Sequence, residues 1–171
     1  PGTYIYHCNI QKRDEYRRSC NHNTVWSMNQ EQSQMMGAFL WGKKADTNLL
    51  KSDLTENQDF LLAECVWQNG NKHSRSFCFN KADKLVIEDD MATTSDSYAT
   101  LVLHPACQVK VENGKAVIQR GAITVCIETN IEPTIEKCWY SEEYGKENET
   151  HKLCYPLNDN KLKTTIWIEK Y

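Results

Sequence analysis

Eight cysteines in a chain of 171 residues constrain its fold more than any other feature. They stand at Cys8, Cys20, Cys65, Cys78, Cys107, Cys126, Cys138 and Cys154. An even number at this density is typical of a disulfide framework, and disulfides persist in oxidising compartments. Zinc binding is the other common use of many cysteines, but the chain contains no Cys-x2-Cys and no His-x3-5-His spacing. The cysteines therefore predict a secreted, disulfide-bonded protein without a metal site.

Charge and hydropathy exclude several classes of partner. The formal net charge is −3, and acidic and basic residues are interspersed, so no basic surface for nucleic acid is expected. No apolar run reaches the length of a membrane span, which argues against membrane insertion. The chain opens at Pro1 without a hydrophobic signal region, and we interpret it as a mature extracellular protein or an excised ectodomain. The acceptor triplet Asn148-Glu149-Thr150 predicts a glycan at Asn148.

The polar composition favours two small domains that depend on cross-links. Hydrophobic residues make up 40% of the chain and the mean hydropathy is −0.68, so each half would bury a modest core. A disulfide can add about 3 kcal/mol to the stability of such a domain. The polar residues 80–84 and the acidic, hydroxyl-rich residues 88–97 lie near the middle of the chain. We expect one disulfide-stapled domain over residues 1–82 and a second over residues 83–171.

Two Asn-Gly pairs predict β-hairpins, because both central positions of a type I′ turn need positive φ. Around Asn113-Gly114 the register would pair Glu112 with Lys115, and the apolar residues on either side would share one face. Around Asn69-Gly70 the same turn would place Cys65 opposite Ser74. Cys65 and Cys78 would then not be bonded to each other.

Short alternating segments predict an all-β fold of small disulfide-rich domains. Further strands are expected at residues 4–8, 84–88, 98–104, 122–129 and 163–171. Residues 28–41 differ, because their methionines, Phe39 and Leu40 have helical spacing, although Gly37 weakens the pattern. We expect a short helix there, packed on the β-structure.

Candidate catalytic residues are few. The chain has no nucleophile elbow, phosphate loop, dinucleotide-binding motif or metalloprotease motif, and an even cysteine count leaves no free catalytic thiol. A secreted hydrolase such as a ribonuclease could use His73 beside Arg75, or His104, as acid and base. Five scattered histidines need no special cause, so we expect a protein that is not an enzyme and binds no cofactor.

Aromatic and arginine residues point instead to a protein-binding surface. Five tryptophans and eight tyrosines exceed the needs of a small core, and Trp, Tyr and Arg dominate protein–protein interfaces. For Trp67 and Trp139, each near a cysteine, packing on a disulfide is the simpler interpretation. The candidate binding residues are Tyr16, Arg17, Arg18, Phe39, Trp41, Trp139, Tyr140 and Tyr144.

The segments that lead to the cysteines resemble the complement-control, or sushi, repeat. The resemblance comes from Glu15-Tyr16-Arg17-Arg18-Ser19-Cys20, from Gly121-Ala122-Ile123-Thr124-Val125-Cys126 and from the spans Cys65–Cys78 and Cys126–Cys138. It is closest to the atypical repeats that parasitic worms secrete. Those proteins bind host cytokines or cytokine receptors, as in the interleukin-33 pathway, and the resemblance implies an immunomodulator of this kind.

The sushi repeat also implies a bonding pattern, from first to third and from second to fourth cysteine. Carried onto this chain, it gives the pairs Cys8–Cys65, Cys20–Cys78, Cys107–Cys138 and Cys126–Cys154. A single-domain β-sandwich effector of viral or fungal origin is an alternative, and a disulfide between the two halves would distinguish it.

Overall fold

The computed structural model describes residues 2–93 and 95–169. Within these residues the chain forms one α-helix, a single turn of 3-10 helix over Ser19–Asn21, and twelve strands. The elements are α1 (Ile10–Arg17), β1 (Val25–Ser27), β2 (Asp46–Leu54), β3 (Gln58–Val66), β4 (Lys72–Asn80), β5 (Lys84–Ala92), β6 (Ser97–Val102), β7 (Gln108–Glu112), β8 (Lys115–Arg120), β9 (Ile123–Thr129), β10 (Thr134–Tyr140), β11 (Asn148–Pro156) and β12 (Lys161–Ile168). The α-helix is too short to cross a membrane, and none of the described residues forms an apolar helix of spanning length.

The strands form two antiparallel sheets. Four strands pair in the order β1-β6-β11-β10, and eight pair in the order β2-β3-β4-β5-β12-β9-β8-β7. The prediction of an all-β fold is confirmed. The short helix is present, but it lies at Ile10–Arg17 and not at residues 28–41, which form turns and an isolated bridge between Met35 and Trp41.

Local chemistry explains why the helix forms where it does. The Asn9 side chain caps α1 by accepting a hydrogen bond of 2.9 Å from the Lys12 backbone N–H. In contrast, Gly37 interrupts the methionine-rich segment, and the Gly37 N–H bonds to the Leu40 carbonyl across a tight turn. The apolar spacing of residues 28–41 was therefore a misleading helical signal.

The hydrophobic core joins the two sheets. Its buried members alternate with outward-facing residues along their strands, as expected for sheets that pack face to face. The four-stranded sheet contributes Val25, Ala99, Leu153 and Tyr155, and the eight-stranded sheet contributes Met91, Ala116, Ile118, Ile127 and Leu162. Trp67 joins the same core from the β3–β4 loop instead of packing on a disulfide.

The first predicted hairpin is confirmed and the second is shifted. Strands β7 and β8 pair Glu112 with Lys115, and Asn113 and Gly114 have φ of 50° and 75°. In the second hairpin Cys65 lies opposite His73, one residue away from the predicted partner Ser74. The Trp67 N–H bonds to the Asn71 carbonyl, so the loop is longer than a two-residue turn.

Two further predictions concern the organisation of the chain. Residues 4–8 do not form the expected strand and run instead as an irregular segment beside α1. The division into residues 1–82 and 83–171 stays a prediction; strands β4 and β5, on either side of position 82, pair along their whole length in one sheet.

The predicted disulfides are wrong. All eight cysteines lie within the described residues, and all are free thiols, including Cys8, Cys20, Cys65, Cys78 and Cys107. Cys126, Cys138 and Cys154 are buried, where cysteine packs as a small apolar side chain. Burial raises the pKa of the Cys154 thiol to about 11, which disfavours the reactive thiolate. Secretion, which disulfides would imply, stays a prediction.

We expect eight reactive thiols when the protein is unfolded in guanidinium without reductant and titrated with a thiol reagent. Reductant should leave the free energy of unfolding unchanged, because the two-sheet core and not a covalent cross-link stabilises the fold. A thiol count below eight before reduction, accompanied by a loss of stability after it, would contradict this expectation.

Candidate functional site

Ring-bearing side chains gather on one surface beside α1. We call it the aromatic–cation surface, and it consists of Tyr4, Tyr6, His7, Lys12, Tyr16, Arg17, Phe39, Trp41, Trp139 and Tyr144. The surface is formed by the irregular residues 2–9, α1, the turns of residues 28–43, strand β10 and the β10–β11 connection.

Tyr6 lies at the centre of the exposed part of this surface. Its ring centroid is 4.8 Å from that of Phe39 and 5.4 Å from that of Tyr144. His7 extends the cluster, with its ring 6.4 Å from Phe39. Phe39 is 72% exposed and Tyr144 is 57% exposed. A cluster of large rings this open to solvent is a candidate contact surface.

Helix α1 anchors the buried side of the surface. Tyr16 is buried, its ring stacks on Tyr4 at 5.6 Å, and its hydroxyl donates a hydrogen bond of 2.8 Å to Glu147. Burial and the Glu147 carboxylate raise the pKa of Tyr16 above its ordinary value, so the phenol stays protonated. One turn earlier, Lys12 forms an ion pair of 3.1 Å with Glu147 and lies 4.7 Å from the centre of the Trp139 ring.

Arg17 forms the second cation–aromatic pair. Its guanidinium carbon lies 4.0 Å from the centre of the Trp41 ring, a distance typical of cation–π stacking. Its Nη1 donates a hydrogen bond of 2.6 Å to the Gly37 carbonyl and lies 3.6 Å from Asp14. Its Nη2 is buried and has no hydrogen-bond partner among the described residues. The turn that carries Phe39 is thus held against the helix.

The structure brings together six of the eight candidate binding residues. Tyr16, Arg17, Phe39, Trp41, Trp139 and Tyr144 belong to the aromatic–cation surface, and their role in binding stays a prediction. The other two lie outside it: Arg18 forms an ion pair of 3.1 Å with Glu31, and the Tyr140 ring lies 5.5 Å from His104. Sequence reasoning missed Tyr4, Tyr6 and His7 because it assigned them to a strand.

The predicted glycan site lies at the start of β11. Asn148 is exposed, whereas Thr150 is buried and its hydroxyl donates a hydrogen bond of 2.9 Å to the Leu103 carbonyl. Glycosylation at Asn148 stays a prediction. Among residues 2–93 and 95–169, no three His, Cys, Asp or Glu side chains are arranged to hold a metal ion.

The histidine and arginine singled out as a catalytic pair meet on one buried carboxylate. His73 Nε2 and Arg75 Nε each lie 2.6 Å from Asp89 Oδ1, and Arg75 Nη2 lies 3.1 Å from Asp89 Oδ2. Arg75 Nη1 also donates a hydrogen bond of 3.0 Å to the Asn23 carbonyl. His73 and Asp89 are only 5% and 4% exposed. This cluster joins β4, β5 and the segment before β1, and burial keeps it from a substrate.

The electrostatics of Asp89 follow from these contacts. Burial by itself would raise the pKa of the carboxyl, but the hydrogen bonds from His73 and Arg75 outweigh it and hold the pKa below its usual value. His104, the other candidate base, is paired with the Glu142 carboxylate at 2.8 Å.

The fold and the exposed rings first define a class: a two-sheet antiparallel β-sandwich with an aromatic–cation surface. Comparison of the sequence with protein families makes the assignment specific. Residues 1–169 match the family described as Heparinase II/III-like, C-terminal. The chain belongs to this family. No curated protein matches it at a significant level.

Solved structures show the same fold. A heparinase III is 17% identical with a TM-score of 0.82, and the match covers 99% of this chain and 27% of that one. The heparan sulfate lyase HepC from Pedobacter heparinus is 18% identical with a TM-score of 0.78, covering 99% of this chain and 28% of that one. A further heparinase III is 16% identical with a TM-score of 0.74, covering 98% and 26%. The chain thus spans about a quarter of the length of these proteins.

The family corrects the functional interpretation of the sequence. The resemblance to sushi repeats is wrong, since a heparinase-like family model and lyase structures match nearly the whole chain. The inferred immunomodulator that binds a cytokine or cytokine receptor is wrong for the same reason. The sushi motifs were short and centred on cysteines, and those cysteines form no disulfides. The viral or fungal effector and the secreted hydrolase receive no support either.

We expect Asp89→Asn to lower the free energy of unfolding by about 3 kcal/mol. The substitution breaks a buried ion pair and leaves the positive charge of Arg75 without its carboxylate partner. Asp90→Asn is the matched control, since the neighbouring Asp90 forms an exposed ion pair of 3.3 Å with Lys161. The control should change stability by less than about 1 kcal/mol. Denaturant unfolding of the three proteins measures both effects, and equal losses in the two variants would contradict the assignment.

The same carboxylate gives a pH dependence with a defined sign. The pKa of Asp89 is lower in the folded state than the ordinary value near about 3.9, so its contribution is present above that pH and is lost as the pH falls. The stability gap between wild type and Asp89→Asn should therefore be largest at neutral pH and shrink below about pH 4. Unfolding curves at neutral and acidic pH test this, and a gap that widens on acidification would refute it.

Proposed function

We propose that this chain is the β-sandwich part of a heparinase-type polysaccharide lyase, and that its aromatic–cation surface contacts an anionic polysaccharide of the heparan sulfate class. Family membership supports the first statement, together with the fold shared with a protein named heparan sulfate lyase. The fraction of those longer proteins that the chain spans supports its being one part of a larger enzyme.

The pairing of rings and cations carries the second statement. Sugar rings present flat C–H faces that stack on aromatic side chains, while sulfate and carboxylate groups attract fixed cations. On this surface Lys12 lies over Trp139 and Arg17 lies over Trp41, so both kinds of contact occur side by side. Phe39 and Tyr144 extend the rings into solvent.

Charge pairing limits how strongly the chain alone should bind. Lys12 forms an ion pair with Glu147, and Arg17 lies 3.6 Å from the Asp14 carboxylate. The molecule as a whole carries a net charge of −3, which opposes a polyanion at long range. We therefore expect the rings to supply much of the affinity, and the interaction to weaken as salt screens the remaining attraction.

We further propose that the chain by itself is not a complete enzyme. His73, which the sequence suggested as a base, is buried against Asp89, and nearly three quarters of the length of the matched lyases lies outside the shared fold. On this proposal the isolated chain binds heparan sulfate without cleaving it.

The proposal predicts that Phe39→Ala weakens binding of heparan sulfate about tenfold, a loss of about 1.4 kcal/mol, because it removes the most exposed ring. Trp41→Ala should have a similar effect, since it also removes the stacking partner of Arg17. The measurement is calorimetry or surface plasmon resonance with heparan sulfate oligosaccharides at low salt.

Phe79→Ala is the matched control, because Phe79 is an exposed phenylalanine of β4 outside the aromatic–cation surface. It should leave the affinity for heparan sulfate unchanged. Equal affinity in all four proteins, or a comparable loss in the Phe79 variant, would overturn the assignment of this surface.

A further inference from the structure

A groove of about 570 Å³ lies on the eight-stranded sheet, on the face of β7, β8, β9 and β12 that points away from the core. We call it the outer groove. It shares no residue with the aromatic–cation surface. Its lining residues are Gln108, Val109, Lys110, Glu112, Asn113, Lys115, Val117, Gln119, Thr124, Cys126, Trp167 and Glu169.

The floor of the outer groove is an apolar strip that crosses three strands. Val117 of β8 lies opposite Cys126 of β9, and Cys126 lies opposite Trp167 of β12. Their sequence neighbours Ile118, Ile127 and Ile166 lie in the core or pack against it, so alternation along the strands places these three side chains on the outer face, with Cys126 buried between the other two. Three strands at the usual spacing give the strip a length of about 10 Å.

A hydrogen-bonding row flanks this strip on one side. Gln108 of β7 lies opposite Gln119 of β8, and Gln119 lies opposite Thr124 of β9. The Glu169 backbone N–H bonds to the Thr124 carbonyl, which places Glu169 at the end of this row. The amides of Gln108 and Gln119 and the carboxylate of Glu169 lie about 7 Å from the apolar strip. They can exchange hydrogen bonds with hydroxyl groups of a ligand.

The row on the other side is charged, and its charges are balanced. Glu112 lies opposite Lys115, and Lys115 lies opposite Glu128. The Lys115 Nζ is 3.4 Å from Glu128 and 5.2 Å from the centre of the Trp167 ring, while the Lys110 Nζ is 2.8 Å from Glu112. The cations of the groove are thus neutralised by adjacent carboxylates, which leaves no excess positive charge for a polyanion.

We propose that the outer groove binds an uncharged oligosaccharide. An apolar strip between a hydrogen-bonding row and a charge-balanced row matches a sugar chain, whose rings have C–H faces and hydroxyl edges. The C–H faces lie on Val117 and Trp167, and the hydroxyls exchange hydrogen bonds with Gln108, Gln119 and Glu169. The site is separate from the surface assigned to heparan sulfate, and its ligand differs from heparan sulfate in charge.

A panel of neutral hexasaccharides tests the proposal, namely the linear hexamers of glucose in β-1,4 and α-1,4 linkage, of xylose, of mannose and of N-acetylglucosamine. Binding to the whole chain is measured by calorimetry and by the NMR signals of the tryptophan indoles. At least one hexamer should bind at millimolar concentration or below and shift the Trp167 indole signal. A heparan sulfate hexasaccharide should leave that signal in place.

Two variants separate binding from folding. Gln119→Ala should weaken the bound hexamer about tenfold with an unchanged unfolding free energy, because Gln119 is exposed. Gln11→Ala, an exposed glutamine of α1 outside the groove, is the matched control and should have no effect. Trp167→Ala should abolish binding; because Trp167 is half-buried, its unfolding free energy is measured alongside.

Failure of every hexamer to shift the Trp167 signal would overturn the proposal. Binding that survives both Gln119→Ala and a folded Trp167→Ala would overturn it as well, and binding of the sulfated hexasaccharide alone in this groove would overturn the uncharged class of ligand. These outcomes are independent of the Phe39 and Trp41 variants, so failure here leaves the proposed heparan sulfate surface intact.

Discussion

The two sheets of the sandwich differ in width, and the packing of one against the other leaves much of the larger sheet open to solvent. Four strands pack against eight, so the smaller sheet covers only part of the larger one. Strand β2, at one edge of the larger sheet, is exposed throughout its length. At the other end, β7 to β9 and β12 bury their inner side chains in the core and leave their outer side chains to form the outer groove.

A buried carboxylate complements the apolar core. Asp89 lies on β5, receives hydrogen bonds from two side chains of β4, and through Arg75 reaches the Asn23 carbonyl ahead of β1. Because Asn23 also accepts a hydrogen bond from the Val102 N–H of β6, the cluster connects the larger sheet with the smaller one. The charged groups themselves lie within the larger sheet, and the hydrogen bonds made by Arg75 and Asn23 link it to the smaller one.

The sequence indicated local structure better than long-range structure. The Asn113-Gly114 hairpin was predictable residue by residue, because turn chemistry and alternation act over a few positions. In the Asn69-Gly70 hairpin the pairing differs by one residue from the prediction, and the loop closes with the Trp67 N–H bonded to the Asn71 carbonyl. Trp67 also packs in the core, a tertiary contact that turn preferences do not contain. The helix was misplaced because the methionine spacing favoured residues 28–41, while the cap that starts α1, Asn9, went unrecognised.

The aromatic–cation surface shows the same limit. Aromatic and arginine residues could be selected by type, and six of the eight selected lie together on this surface. The contact between Tyr6 and Tyr144, however, joins positions at opposite ends of the chain, and no periodicity reports it. The cysteines misled for a different reason: their number is that of a disulfide protein, but several of them fill apolar space where valine or alanine would also serve.

The two surfaces proposed to bind ligands differ in the groups around their cations more than in the cations themselves. On the aromatic–cation surface Lys12 and Arg17 lie against rings, and each also lies near a carboxylate, that of Glu147 or Asp14. In the outer groove Lys110 and Lys115 each lie next to a glutamate, and Lys115 also lies over the Trp167 ring. Cations on both surfaces are therefore paired within the protein, and charge pairing alone does not distinguish the ligands. The distinction comes from what surrounds them, because several exposed rings accompany the cations of the first surface, whereas glutamine amides and a single tryptophan accompany those of the second.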